Sequence, residues 1–205
     1  MNPWKMSTVV KTNQPSKEEQ DRMEAQWLDM IAEGDKQAFE KLYHAYQPRL
    51  LRFCHRIIGD LNGLEEIVNE VMYVVWQKAK TYNGTCRPSS WVFGIAYNKS
   101  LHSMRKNKKN SLQVGLDEIN AGLAHHSDPT SQQENNDWLT VAFAMLSSEQ
   151  RTVLELTYYY GMSYQEIGDV MGCSENTVKT RMFYARKKLQ KILPGLAGQP
   201  TGEQP

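Results

Sequence analysis

Apolar residues recur along this chain at intervals of three and four, and the intervening positions are mostly polar, which is the signature of amphipathic helices packed through one face. The pattern predicts a first helix through Trp27, Leu28 and Ile31 that ends at Gly34-Asp35. A longer stretch follows through Phe39, Leu42, Tyr43, Tyr46, Leu50, Cys54 and Ile57, with Pro48 either kinking one helix or starting another. From Asn62 to Lys80 one stripe carries Leu64, Ile67, Val68, Val71, Met72 and Val75, while Glu65, Glu66, Asn69, Glu70 and Tyr73 form the opposite, acidic face. Asn83-Gly84 and Arg87-Pro88 mark a loop over 82–90, after which Ser89 or Ser90 is expected to cap a helix to about Lys109. Trp138, Val141, Ala142 and Met145 predict a further helix, and Ser147 with Gln150 forms a capping box for the next, through Tyr159.

The last helical pair is the most specific local signal. Ser163 with Glu166 makes another capping box, Ile167, Val170 and Met171 form one stripe, and Gly172 supplies the left-handed residue that closes a helix. Ser174 then caps a second helix in which Val178, Met182, Ala185 and Leu189 face inward. Asn176, Lys179, Thr180, Phe183, Tyr184, Lys187 and Lys188 lie on its other faces. Two short capped helices hinged at a glycine, the second basic, predict a helix-turn-helix. Long cations reach phosphates or guanine edges, hydroxyls bond to bases, and aromatic edges meet thymine methyls, so this face suits DNA. A basic helix alone is commonly just a solvated surface; the glycine hinge and paired caps are what favour DNA reading.

Charge sharpens the picture through its distribution. The net charge is only +1 over 205 residues. Segment 98–112 nonetheless holds Lys99, Arg105, Lys106, Lys108 and Lys109 with no acid, and 174–191 holds six cations against Glu175 alone. Between them, 113–137 carries Asp117, Glu118, Asp128, Glu134 and Asp137 with no Lys or Arg. Two basic elements separated by an acidic connector fit one nucleic-acid partner touched at both ends. Aromatics interleaved with cations, as in Trp91, Phe93, Tyr97, Lys99, Arg105 and Lys106, also fit stacking of unpaired bases, although most such rings are core.

Other chemistry finds little support. Cys54, Cys86 and Cys173 are odd in number and far apart, which suggests neither a disulfide framework nor a zinc knuckle and fits the cytosol. His125-His126 lacks a carboxylate or cysteine at ligand spacing, so no metal is expected, and no cofactor. There is no Gly-x-x-x-x-Gly-Lys loop and no clustered carboxylate pair, so no catalytic residue is assigned and the chain is not expected to be an enzyme. No apolar run of membrane length and no signal-peptide core is present, so no membrane insertion is expected. The expected fold is all-α: two small helical domains on a flexible linker, the second a four-helix helix-turn-helix unit. The boundaries are a mobile tail over 1–19, a first domain over 20–109, a linker over 110–134, a second domain over 135–193 ended by Pro194 and Gly195, and a tail over 194–205.

The segments Phe39-Glu-Lys-Leu-Tyr, Glu65-Glu-Ile-Val-Asn-Glu-Val, Ser90-Trp-Val-Phe-Gly-Ile-Ala-Tyr-Asn and Ser163-Tyr-Gln-Glu-Ile resemble bacterial RNA polymerase sigma factors of the sigma-70 family, extracytoplasmic-function (ECF) type, from about Trp27 to Leu193. The resemblance implies a cytoplasmic, non-enzymatic subunit that directs core polymerase to promoters, in a stress or envelope response. Its implied partners are the β′ clamp helices and β subunit of core RNA polymerase, promoter DNA, and an anti-sigma factor. On this resemblance Glu65, Glu66, Asn69, Glu70 and Tyr73 face the polymerase. Tyr82, Asn83, Arg87, Trp91, Tyr97, Asn98, Lys99, Arg105 and Lys106 meet the minus-10 element. Ser174, Asn176, Thr177, Lys179, Thr180, Arg181, Phe183, Tyr184, Arg186 and Lys187 meet the minus-35 element. Asn69 stands where the family usually has glutamine, His102 where aspartate is common, and Tyr184 where a basic residue is frequent. The alternative is a free-standing helix-turn-helix regulator that dimerises on paired half-sites.

Overall fold

A computed structural model describes residues 16–59, 62–113 and 137–197, with side-chain surroundings through 106 and over 141–193. Among the described residues every regular element is helical. Helix α1 (Lys17–Ala32) starts earlier than the periodicity predicts. Its start is a capping box: the Ser16 hydroxyl accepts from the Glu19 N–H and the Glu19 carboxylate accepts from the Ser16 N–H. Helix α2 (Lys36–Ile58) is continuous through Pro48, which resolves the two readings of that proline in favour of one element. The Asp35 carboxylate caps it, and Gly59, at φ 80°, ends it.

Helix α3 (Leu64–Lys78) and a 3-10 turn (Ala79–Thr81) lead to α4 (Pro88–Gln113). Pro88 occupies the first helical position of α4, where its missing N–H costs nothing. Ser89 and Ser90 are buried as the second and third residues of the helix and are not its caps. Because α4 runs to Gln113, the first part of the expected linker is helical; 114–136, with His125-His126, lies outside the described residues.

In the second half, α5 (Asp137–Ala144), α6 (Ser148–Tyr158), α7 (Tyr164–Met171) and α8 (Glu175–Ala197) form the four-helix unit. Both predicted capping boxes, Ser147/Gln150 and Ser163/Glu166, are present. Helix α8 continues through Pro194 to Ala197, beyond the predicted stop at Leu193: proline removes one backbone bond but leaves φ compatible with a last helical turn. Ala142 and Leu146 carry the inward face of the α5 region, and Met145 is exposed.

The two halves share one apolar core. Leu28, Leu42, Leu50, Phe53, Val71, Val75 and Phe93 from the first join Leu156, Ile167, Val170 and Met182 from the second. The seam runs where α4 meets α7 and α2 meets α6. Tyr160 is its plug: its ring lies 4.5 Å from Phe93 and 6.2 Å from Phe53, and its hydroxyl donates to the Arg49 carbonyl at 2.8 Å. Lys17 Nζ reaches the Gly161 carbonyl at 3.1 Å across the same seam.

Candidate polymerase and nucleic-acid surfaces

The acidic ridge on α3 is built as its periodicity requires. Leu64, Val68, Val71, Met72 and Val75 are buried, which turns Glu65, Glu66, Asn69, Glu70 and Tyr73 outward; all five are exposed. The Asn69 side-chain carbonyl accepts from the Tyr43 hydroxyl at 2.9 Å, and the Tyr73 hydroxyl accepts from Gln77 at 2.7 Å. Glu70 is different, because it reaches α4: its carboxylate accepts from Lys99 Nζ at 2.8 Å. That bond, aided by the nearby charges of Lys99, His102 and Lys106, holds the Glu70 carboxyl below its ordinary value.

A cleft of about 560 Å3 opens between α1 and the loop before α4, lined by Asp21, Arg22, Ala25, Asp29, Tyr82, Asn83, Gly84 and Pro88. Tyr82 and Asn83, two of the expected minus-10 residues, thus share its wall. The Asn83 side-chain oxygen (Oδ1) accepts from the Thr85 N–H and hydroxyl, the turn chemistry that shapes the loop. Tyr82 donates to the Cys86 carbonyl at 2.8 Å and packs 5.7 Å from Trp91, and burial pushes its phenol up to about 12. Trp91 is half-buried against that core rather than projecting outward.

The remaining expected minus-10 residues separate into two groups. Asn98, Arg105 and Lys106 are exposed on α4, with Lys99 half-buried beside them. Tyr97 is only 5% exposed, under the second half of the chain. Burial raises its phenol, with Arg181, Glu149 and Cys173 close enough to act on it. Arg87 is also engaged across the seam. Its guanidinium forks onto Asp21 at 2.6 and 2.7 Å, and its third nitrogen reaches Glu166 of α7 at 2.9 Å. A planar donor fork held by two carboxylates is among the strongest polar contacts available at a surface.

In the helix-turn-helix, Gly172 takes φ 64° and ψ 38°, and both it and Cys173 donate their N–H groups to the Gly168 carbonyl. The Ser174 hydroxyl accepts from the Thr177 N–H at 3.2 Å and shares a hydrogen bond with its hydroxyl at 2.9 Å. Val178, Met182 and Ala185 are buried, so the opposite face of α8 presents Asn176, Lys179, Thr180, Phe183, Tyr184, Arg186 and Lys187. Phe183 and Tyr184 are 60% and 55% exposed, an unusual state for large rings and one that suits contact with bases. Lys179 pairs with Glu175 at 2.8 Å, the Thr180 hydroxyl donates to the Asn176 carbonyl at 2.9 Å, and Lys187 lies over the Phe183 ring. Arg181 turns inward instead, donating to Cys173 Sγ at 3.4 Å. Arg186 donates to the Tyr158 hydroxyl at 2.7 Å, and Tyr158 was not among the sequence-derived site residues. No spacing rule links a residue at the end of α6 to one deep in α8.

A buried charge cluster also escaped the sequence reading. Glu24, 1% exposed, accepts from Gln20 at 2.9 Å, from Arg49 at 3.2 Å and from the Tyr46 hydroxyl. The Arg49 guanidinium lies over both the Tyr46 and Phe93 rings. Among the described residues, no group of three or more His, Cys, Asp or Glu side chains is placed to hold a metal ion.

The Sigma-70 region 2 family model matches residues 42–110 and the Sigma-70 region 4 model matches 136–189. The ECF RNA polymerase sigma factor SigL of Mycobacterium tuberculosis is 31% identical over 158 residues, 76% of this chain and 88% of the relative. SigW of Bacillus subtilis, another ECF sigma factor, is 25% identical over 179 residues, 82% of this chain and 96% of the relative. The sigma factor RpoE of Bartonella quintana, solved with the anti-sigma factor NepR, superimposes with a TM-score of 0.65 at 25% identity, covering 76% of this chain and 96% of that one. CnrH, solved with the cytosolic domain of CnrY, shares the fold with a TM-score of 0.63 at 20% identity, covering 84% and 98%. With regions 2 and 4 in order and a 31% identical relative spanned over most of its length, this chain belongs to the ECF group of sigma-70-family RNA polymerase sigma factors.

Proposed function

We propose that the chain binds core RNA polymerase through the exposed α3 ridge and directs it to promoters, with the α4 region and its preceding loop meeting the minus-10 element and α8 meeting the minus-35 element. The observation that carries this reading is the pairing, in one chain, of an outward acidic ridge on region 2 with an outward aromatic-cationic face on region 4. Carboxylates on the solvent face of a helix, too crowded to stabilise one another, suit a basic partner helix such as those of the β′ clamp. The β subunit is its further contact on the polymerase. The cleft beside Tyr82 and Asn83 is large enough for an extruded base, whose few kcal/mol of lost stacking the walls and the cations of α4 would offset. Reading by Tyr97 and Arg87 requires α7 to leave α4, because both are engaged across the seam. Arg181 and Trp91 serve packing in the closed arrangement, and Tyr158 joins the minus-35 face by holding Arg186.

The chain performs no chemistry of its own in this reading and acts in the cytoplasm, on the nucleoid when bound to polymerase, within a stress or envelope response. Among the described residues no helix is long and apolar enough to cross a membrane. The anti-sigma factor bound to the solved relative RpoE supports an anti-sigma factor as a further partner.

Mixing the purified chain with core polymerase is the decisive test: transcripts are expected from promoters that core alone ignores. Tight dimeric binding to paired half-sites without polymerase would instead identify the free-standing regulator. Glu70→Lys should abolish polymerase binding without weakening the full chain's affinity for minus-35 duplex, as measured by fluorescence anisotropy; equal loss in both assays refutes the ridge assignment. Lys179→Ala should cost about 1 to 3 kcal/mol at the minus-35 element if it reads a base, and should chiefly flatten the salt dependence if it meets phosphate.

A further inference from the structure

Glu70 belongs to the ridge assigned to polymerase, and Lys99 belongs to the helix assigned to the minus-10 element, yet the two form one ion pair 2.8 Å long. The helices α3 and α4 pack side by side, which brings these two surfaces to a common edge. On α4, Lys99, His102 and Lys106 follow at spacings of three and four and so share one face, the face that meets Glu70. Among the described residues no ion pair involves Glu65 or Glu66, one turn earlier on the ridge. The pair is accessible at both ends, with side-chain exposures of 34% for Lys99 and 51% for Glu70. A basic helix can therefore reach Glu70, and a phosphate can reach Lys99.

From this geometry we infer that the Glu70–Lys99 pair couples polymerase docking to DNA binding: a polymerase cation that takes the Glu70 carboxylate releases Lys99 to the promoter phosphate backbone. The inference rests on the polymerase-binding reading of the ridge. In the free chain each charge is half-quenched by the other, so each is a weaker ligand for its external partner than it would be alone. When a cation from the clamp engages Glu70, it competes with Lys99 for the same oxygens and repels it, and the ammonium swings to the nearest anion, the DNA backbone. Linkage makes the effect reciprocal: DNA held by Lys99 leaves Glu70 free for polymerase. An exposed ion pair is worth at most about 1 kcal/mol, which bounds the coupling at about two- to five-fold.

The test is a double-mutant cycle in the full chain with Glu70→Gln, Lys99→Gln and the pair together, read by affinity for core polymerase and for a labelled single-stranded minus-10 oligonucleotide across a salt series. Lys99→Gln should tighten polymerase binding about two- to five-fold in the parent and leave it unchanged in the Glu70→Gln background. Glu70→Gln should strengthen oligonucleotide binding by a similar factor and steepen its salt slope by about 0.7, and should do neither once Lys99 is gone. Additive effects in both assays would overturn the coupling, since general charge effects persist in either background. Failure of the parent chain to bind polymerase at all would instead overturn the ridge assignment, and the oligonucleotide cycle would still decide the pairing.

Discussion

Individual side chains show where helical periodicity misleads. Glu24 sits in α1 between Gln20 and Leu28, and a lone glutamate on a helix is ordinarily solvated. Here Tyr46 and Arg49 from α2 converge on it, so the carboxylate stays buried and satisfied. Glu24→Ala should therefore destabilise the fold by about 3 kcal/mol in urea titration, because it strands the Arg49 charge and the Tyr46 hydroxyl. The cysteines divide by environment in the same way. Burial pushes the Cys54 thiol up to about 11 and also raises that of Cys86, but Cys86 and Cys173 are partly exposed where Cys54 is buried. Alkylation at about pH 8 should modify Cys86 and Cys173 while sparing Cys54 until the chain unfolds, as peptide mass mapping would show.

At the scale of elements, the helix-turn-helix depends on a glycine whose role is steric. A Cβ on Gly168 would sit 2.7 Å from the Cys173 carbonyl oxygen, a backbone atom that cannot move without opening the turn. Gly168→Ala should lower stability by about 1 to 3 kcal/mol and weaken minus-35 binding, with thermal melting and anisotropy as readouts. Gly94 is the control: a Cβ there meets Val170 backbone at 3.8 Å, an ordinary contact, so Gly94→Ala should be nearly neutral. The caps of α6, α7 and α8, the hinge at Gly172 and the acidic stripe of α3 were legible because each is a local rule acting over one turn. The ends were read less well. The Ser16–Glu19 cap lies in a polar stretch with no apolar period to flag it, and α4 and α8 run past their predicted stops because propensity at a terminus yields to a few added backbone bonds.

For the whole molecule, the sequence pointed to two tethered modules, and the structure adds that they close on each other through Tyr160 and the Asp21–Arg87–Glu166 bridge. Tyr160→Ala should loosen this seam, increasing the radius of gyration in small-angle scattering and the accessibility of Tyr97. Acid should act on the same bridge. Burial pushes the Glu166 carboxyl up, but the Ser163 N–H and Arg87 outweigh it and hold it below its ordinary 4.5. The Ser163 cap belongs to α7 itself and persists when the halves part, so only the Arg87 share of this lowering stabilises the closed form; it is fully present above the carboxyl's open-form value and disappears as pH falls through the closed-form one. Closure should thus be pH-independent around neutrality and fail on strong acidification, with Glu166→Gln removing the acid-dependent part. By itself the sequence determined which segments are helical, the caps of α6, α7 and α8, the exposed acidic and basic faces and the family, since periodicity, capping and motif order are properties of neighbours along the chain. Only the tertiary structure decided that Glu24 is buried, that Tyr97 and Arg87 are occupied, that Arg186 leans on Tyr158 and that Glu70 meets Lys99: each needs residues distant in sequence to meet in space, and one-dimensional spacing carries no distance between helices.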